Sequence, residues 1–266
     1  MSDTRDPTAA GARATYVFFA LACAITWLLD FPLAHAWATH ATPAPYALTL
    51  TGLGAFGPAL AALILAARRR DLRGTFGRWR THPGWIALGL LLPLAVHLPA
   101  TLVEVALGGH PAHWFYPPVQ AEHVAALVVF SFGEELGWRG FAYPRLAARH
   151  GAVVGSLILG AVWGLWHLGM LFTPEAGPPA PLTVALFMAD LALWSVVMAY
   201  FFERGGRSLA VAVAMHAGAH IDNVTRAPAT EVRLRILRFV ALAIVAALAA
   251  RALEARRRRG ALLESA

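Results

Sequence analysis

About eight apolar runs, most of them long enough to cross a bilayer, fill the sequence from about residue 15 to about residue 255. They fall at about 15–37, 45–67, 84–107, 121–138, 152–172, 181–202, 207–220 and 237–255, the seventh being the shortest. A hydrocarbon core of ~30 Å takes about 20 helical residues, because backbone amides in lipid must be satisfied within their own segment. The 266-residue length alone would also fit one or two soluble domains, but only 14% of residues are charged, against roughly 25% in soluble domains. The expected fold is therefore an all-α membrane protein, a polytopic bundle of about eight transmembrane helices. Residues 1–14 are expected to be a disordered N-terminus, 15–255 the helical domain and 256–266 a basic tail.

The first run has a competing reading. Arg5 and Arg13 precede it, and Ala34-His35-Ala36 has the small-x-small form of a signal-peptide cleavage site. Its apolar stretch is longer than a usual signal core and Trp37 continues it, so a retained helix is expected.

The net charge of +7 comes from arginine, since the chain has no lysine. These arginines cluster at the ends of apolar runs, which suits anionic lipid headgroups and topology control rather than nucleic acid. Arg68, Arg69, Arg70, Arg73, Arg78 and Arg80 follow run two; Arg139, Arg145 and Arg149 follow run four; Arg204 and Arg207 follow run six; Arg256 to Arg259 close the tail. The opposite loops, about 38–44, 108–120 and 173–180, hold none. Both termini are thus expected in the cytoplasm, with the chain in the cell membrane. Arg226, Arg233 and Arg235 break the pattern: either the seventh run is re-entrant or the eighth is misplaced. Residues 68–82 read as a short amphipathic cytoplasmic helix with Phe76 and Trp79 at the interface. Cys23 is the only cysteine, which leaves no intrachain disulfide.

Ionisable side chains in the apolar runs mark candidate sites, because each costs several kcal/mol in hydrocarbon. Run four contains SFGEELGWRGF, with Glu134 and Glu135 adjacent and Arg139 four residues after Glu135. On a helix Glu135 and Arg139 share a face and can pair, while Glu134 points about 100° away and stays available to a proton. A buried pair that merely orders two helices is the structural alternative. Run five contains AVWGLWHLGML, placing Trp163 and His167 on one face; Gly160 and Gly164 there suit close helix packing. Run seven contains AVAMHAGAHIDN, with His216 and His220 at a spacing that suits a metal or a shared water, and Asp222 and Asn223 just beyond. Asp30, His97 and Glu104 are expected toward interfaces or in interhelical pairs. Asp190 lies nearer mid-membrane, and His110 and His113 in a solvated outer loop.

Together these residues resemble the CAAX-processing and bacteriocin-processing intramembrane proteases, also called the abortive-infection family. That family carries EExxxR, then FxxxH, then HxxxN on three successive core helices. Glu134, Glu135 and Arg139 complete the first motif; Trp163 and His167 match the second with Trp for Phe; His216 opens the third, but His220 stands where the family has Asn. The segment GAFGPALAAL resembles the family's second core helix. The resemblance implies a site on helices four, five and seven, with Glu134, His167, His216 and His220 catalytic. Glu135, Arg139, Trp163 and Asn223 would support them.

It further implies hydrolysis of a peptide bond by activated water, acting on a peptide or membrane-protein substrate. The family's metalloprotease label makes zinc or another divalent metal an implied cofactor, with Glu134, His167 and His216 as candidate ligands. One geometric obstacle stands. His167 lies roughly 20 Å along its helix from the start, whereas Glu134 is near the end of its own. The motifs meet only if the fifth helix starts in the cytoplasm, tilts, or lines a deep cavity. Two other functions stay open from the residues: a non-enzymatic membrane scaffold of the same fold, and a proton-coupled transporter using Glu134, Glu135, Asp190 and the histidines as a relay.

Overall fold

The computed structural model describes residues 7–114, 121–171, 180–221 and 232–264. Among them every regular element is a helix. In chain order these are α1 (Pro7–Ala38), α2 (Pro45–Gly54), α3 (Gly57–Arg68), α4 (Leu72–Phe76), α5 (Pro83–Ala106) and α6 (Ala121–Gly137). A π-helical turn, Trp138–Ala142, leads into α7 (Tyr143–His150) and α8 (Ala152–Trp166). A short 3₁₀ turn, α9 (Pro181–Arg204), α10 (Leu209–Ile221) and α11 (Val232–Glu264) complete the chain.

Each apolar run of the sequence corresponds to one of these helices, or to the pair α2 and α3. Among the described residues, α1, α5, α9 and α11 are long and apolar enough to cross a membrane. A fifth span is available if α2 and α3, bent by 49° at their junction, are taken as one. The helices α8 and α10 are apolar but short. The fold is thus an all-α polytopic membrane protein.

Several expected boundaries move. The first helix begins at Pro7, inside the stretch expected to be disordered, and α11 continues to Glu264 through the arginine-rich tail. The stretch from Arg139 to Arg149, expected to be a loop, is helical to His150. The eighth run begins earlier than expected, already helical at Val232. Asp222, Asn223 and Arg226 lie outside the described residues.

The chain divides into two compact units, Met1–Arg78 with Phe132–Ala192, and Trp79–Ser131 with Leu193–Ala266. In the first unit, α2 and α3 pack along α1 where the side chains are small. Gly57 approaches Thr26 so closely that no Cβ fits, and Gly54 faces Thr26 and Asp30. The Thr26 hydroxyl donates to the Gly54 carbonyl at 2.7 Å and accepts from the Trp166 indole at 2.9 Å. In lipid, where tails are as apolar as leucine, such close packing and interhelical hydrogen bonds hold helices together.

The centre of this unit is a helical hairpin. The turn is Gly151, at φ +80 and ψ 162, a backbone state that glycine adopts without strain. On its far side Gly155 stands against the backbone of Leu146 and Ala147, where an added Cβ would lie 2.9 Å from the Ala147 nitrogen. That contact sets the register of α8 against the helix before it. Residues equally far from Gly151 on the two arms therefore face each other.

The second unit joins α5 to α10 and α11. Met215 of α10 packs on Gly89, and Gly218 on the Leu90 and Gly89 carbonyls. Two arginines near the start of α11 reach α5: Arg233 grips Glu104 with two bonds of 2.6 and 2.8 Å, and Arg238 donates to Thr101 at 3.0 Å. Arg238 is buried and donates also to the Trp114 carbonyl at 3.1 Å. Arg233, which breaks the loop-charge pattern, is thus a helix residue paired with an acid, as expected for Glu104. His97 meets Trp194 edge to face, with ring centroids 6.0 Å apart.

The hairpin register is testable. Gly155→Val should lower the thermal unfolding midpoint of the purified protein, because overpacking of this kind costs about 1–3 kcal/mol. Gly169→Ala, where an added Cβ meets nothing within 4 Å, should leave it unchanged.

Candidate active site

Glu134 lies 17 residues before Gly151 and His167 lies 16 after it, so the hairpin brings them face to face. The Oε2 of Glu134 stands 3.9 Å from His167 Nε2. The obstacle raised by the sequence disappears for this pair. It arose from ending the fourth helix near residue 138; the arm continues through the π turn to His150, which carries Glu134 about 24 Å from the turn, level with His167.

Both carboxylates are inside the fold, Glu134 at 4% exposure and Glu135 at 0%. They are held differently, as their roughly 100° separation on a helix requires. Glu135 pairs with Arg139 one turn on, Oε1 to Nη1 at 2.8 Å, with both side chains at 0% exposure. Glu134 receives two indole N–H groups on the same oxygen, Oε2: Trp163 at 2.8 Å and Trp138 at 3.4 Å. Trp163 also lies under the Arg139 guanidinium, 5.1 Å from ring centroid to Cζ. One indole therefore contacts both Glu134 and the partner of Glu135.

His167 caps the end of α8 rather than continuing it. Its Nδ1 is 3.0 Å from the Trp163 carbonyl. A carbonyl only accepts, so that nitrogen carries the proton and Nε2 is the nitrogen directed at Glu134. Trp166 stands edge to face on the imidazole at 4.5 Å, with Phe187 of α9 beyond at 6.3 Å. Gly164 lets Met188 of α9 approach its backbone, the close packing expected there. An aromatic wall from α1 completes the surroundings, with Phe18 against Trp138 at 5.5 Å and Phe141 at 5.1 Å.

The structure thus brings together Glu134, Glu135, Arg139, Trp163 and His167. His216 and His220 belong to the second unit, on α10, where their rings stack 5.1 Å apart at 24° and His216 is buried. Asn223 falls outside the described residues. Trp138 was missed by sequence reasoning, although it follows Glu134 at i, i+4, the same spacing that revealed Glu135 and Arg139. Thr26 was also missed; a threonine in an apolar run carries too little signal.

A metal was tested against this donor set. Among the described residues no three His, Cys, Asp or Glu side chains converge on one point. Glu134 and His167 alone fall short of the three protein ligands of a catalytic zinc. The third candidate ligand, His216, belongs to the other unit.

Comparison with known proteins agrees with the motifs. Residues 119–221 match the family of type II CAAX prenyl endopeptidases described as Rce1-like. The matched segment is similar to that family, and it holds every described residue of the three motifs. A CAAX prenyl protease 2 of Methanococcus maripaludis is 32% identical over 89 residues, 31% of this chain and 32% of that protein. The chain thus aligns with about a third of the length of that relative.

Removing one partner of a buried ion pair leaves the other charge stranded, at about 3–5 kcal/mol. Arg139→Ala should therefore unfold the protein at a markedly lower temperature. The double variant Glu135→Leu/Arg139→Met should recover most of that loss in a thermal melt, because neither charge remains.

Proposed function

We propose that the chain is an intramembrane endopeptidase in which Glu134 activates a water molecule. The observation that supports this most is the buried Glu134 carboxylate, 3.9 Å from His167 Nε2 and held by two indoles. That separation is too long for a direct hydrogen bond and short enough for both groups to hold one water.

In this reading Glu134 takes a proton from that water while the oxygen attacks the substrate carbonyl carbon. The tetrahedral oxyanion then collapses, the C–N bond breaks, and the proton passes from Glu134 to the departing amine. His167 positions the water through Nε2, and the two indoles hold the carboxylate in one rotamer. Glu135 and Arg139 hold the arm itself. The family resemblance assigns His216 and His220 to oxyanion stabilisation, with His220 standing in as a donor for the family's Asn. The substrate class is a peptide or a membrane-protein segment, and a prenylated CAAX peptide is the probe that the relatives' names supply. The protein would work in the cell membrane with both termini in the cytoplasm.

The test uses the full chain in proteoliposomes, with a prenylated CAAX peptide and unprenylated membrane segments as substrates. Glu134→Gln should abolish product release, and His167→Ala should reduce it strongly. Equal cleavage by wild type and Glu134→Gln would end this reading; loss of a cellular function only on disruption of the bundle would favour a scaffold. Trp163→Phe supplies the family's usual residue but removes the 2.8 Å donor to Glu134. A bond to a charged group is worth about 1.5–3 kcal/mol, so kcat should fall about tenfold or more with KM little changed.

A further inference from the structure

The arginines where α3 ends are exposed and gathered on one elbow of the first unit. Arg68, Arg69, Arg70 and Arg73 fall within six positions, with Asp71 the one acid among them. Asp71 is engaged from behind by Arg145 of α7, 3.7 Å away, so this acid does not serve the elbow's cations alone. Arg145 is itself anchored, donating to the Phe141 carbonyl at 2.7 Å and lying 3.7 Å above the Phe141 ring.

The backbone here has an unusual feature. The α3 helix closes with the Arg70 amide bonded to the Ala67 carbonyl at 3.0 Å and the Asp71 amide to the Ala66 carbonyl at 2.9 Å. In that closing motif the left-handed residue is usually glycine. Here it is Arg70, at φ +56. A cation thus occupies a position whose conformation favours a residue with no side chain, as Arg207 does, at φ +58, beyond the end of α9.

What the elbow would meet follows from its place. It ends the bent pair that is apolar enough to cross a membrane when taken as one span, and the end of a span stands at headgroup level. Leu72, between Arg70 and Arg73, is 44% exposed. An exposed leucine among arginines suits the boundary between acyl chains and phosphates, and does not suit nucleic acid or an acidic soluble protein. We propose that the elbow from Arg68 to Arg73 is a binding site for the phosphate groups of anionic phospholipids. It borders the π turn through Arg145, and it stands independently of the peptidase reading.

The experiment titrates the purified full chain with phosphatidylglycerol or phosphatidylcholine and follows bound lipid by native mass spectrometry. Arg70→Gly is the informative variant, because it relaxes the backbone while removing the charge. It should melt no lower than wild type in neutral lipid, yet bind phosphatidylglycerol about fivefold more weakly, the fold-change that corresponds to about 1 kcal/mol per arginine at a membrane surface. Arg69→Gln/Arg73→Gln, which leaves the helix end intact, should weaken it further, with phosphatidylcholine binding unchanged in both. Unaltered phosphatidylglycerol affinity in these variants would overturn the proposal. So would an equal loss from Arg256→Gln/Arg258→Gln in the tail. Stabilisation by inorganic phosphate equal to that by the lipid, at matched phosphate concentration, would show a free-anion site instead.

Discussion

A carboxylate inside a membrane protein must find its partners within the fold, since neither lipid nor bulk water will supply them. This chain has two such carboxylates on adjacent residues, and everything around them reads as a response to that requirement. Glu135 is matched one turn away by Arg139. Glu134, turned to the next face, is matched from the other arm of the hairpin by the Trp163 indole and, from its own arm, by Trp138. The outcome is one residue fixed as part of an ion pair and another held by neutral donors beside an imidazole.

The hairpin is what makes this possible. Its turn needs Gly151, its register needs Gly155, and its second arm closes on α9 through Gly164. Three glycines thus set the separation of Glu134 and His167 through their backbones, Gly164 accepting from the His167 amide at 3.2 Å. The aromatic side chains that line it come from α1, from the π turn and from the end of α8, so a single helix could not have built it. Small residues bring backbones together, and large rings then surround the polar groups at the centre.

Much of this was legible in the sequence. The lengths of the apolar runs announced the helices, and the spacing of Glu135 and Arg139 announced their pairing. The motifs announced the family that residues 119–221 match. The depth of the site was not legible, because Arg139, Arg145 and Arg149 look like a cytoplasmic loop when loops are located by charge. Each of the first two is engaged inside the fold, Arg139 by Glu135 and Arg145 by Phe141 and Asp71, so the helix continues past the point where hydropathy ends it. The same error displaced the start of α11. Arg233 looked like a loop residue until Glu104 was seen to receive it. Local charge patterns predict where a helix is exposed; they do not reveal which charges are answered by another helix.

The central claim is a proximity, and it is best tested as one. Solid-state NMR recoupling between a labelled Glu134 carboxyl carbon and a labelled His167 Nε2, in bilayers, reads it directly. Strong dephasing that agrees with the 3.9 Å Oε2–Nε2 separation is the expected result. Dephasing no stronger than that of the unlabelled background would place the two groups apart and contradict the account.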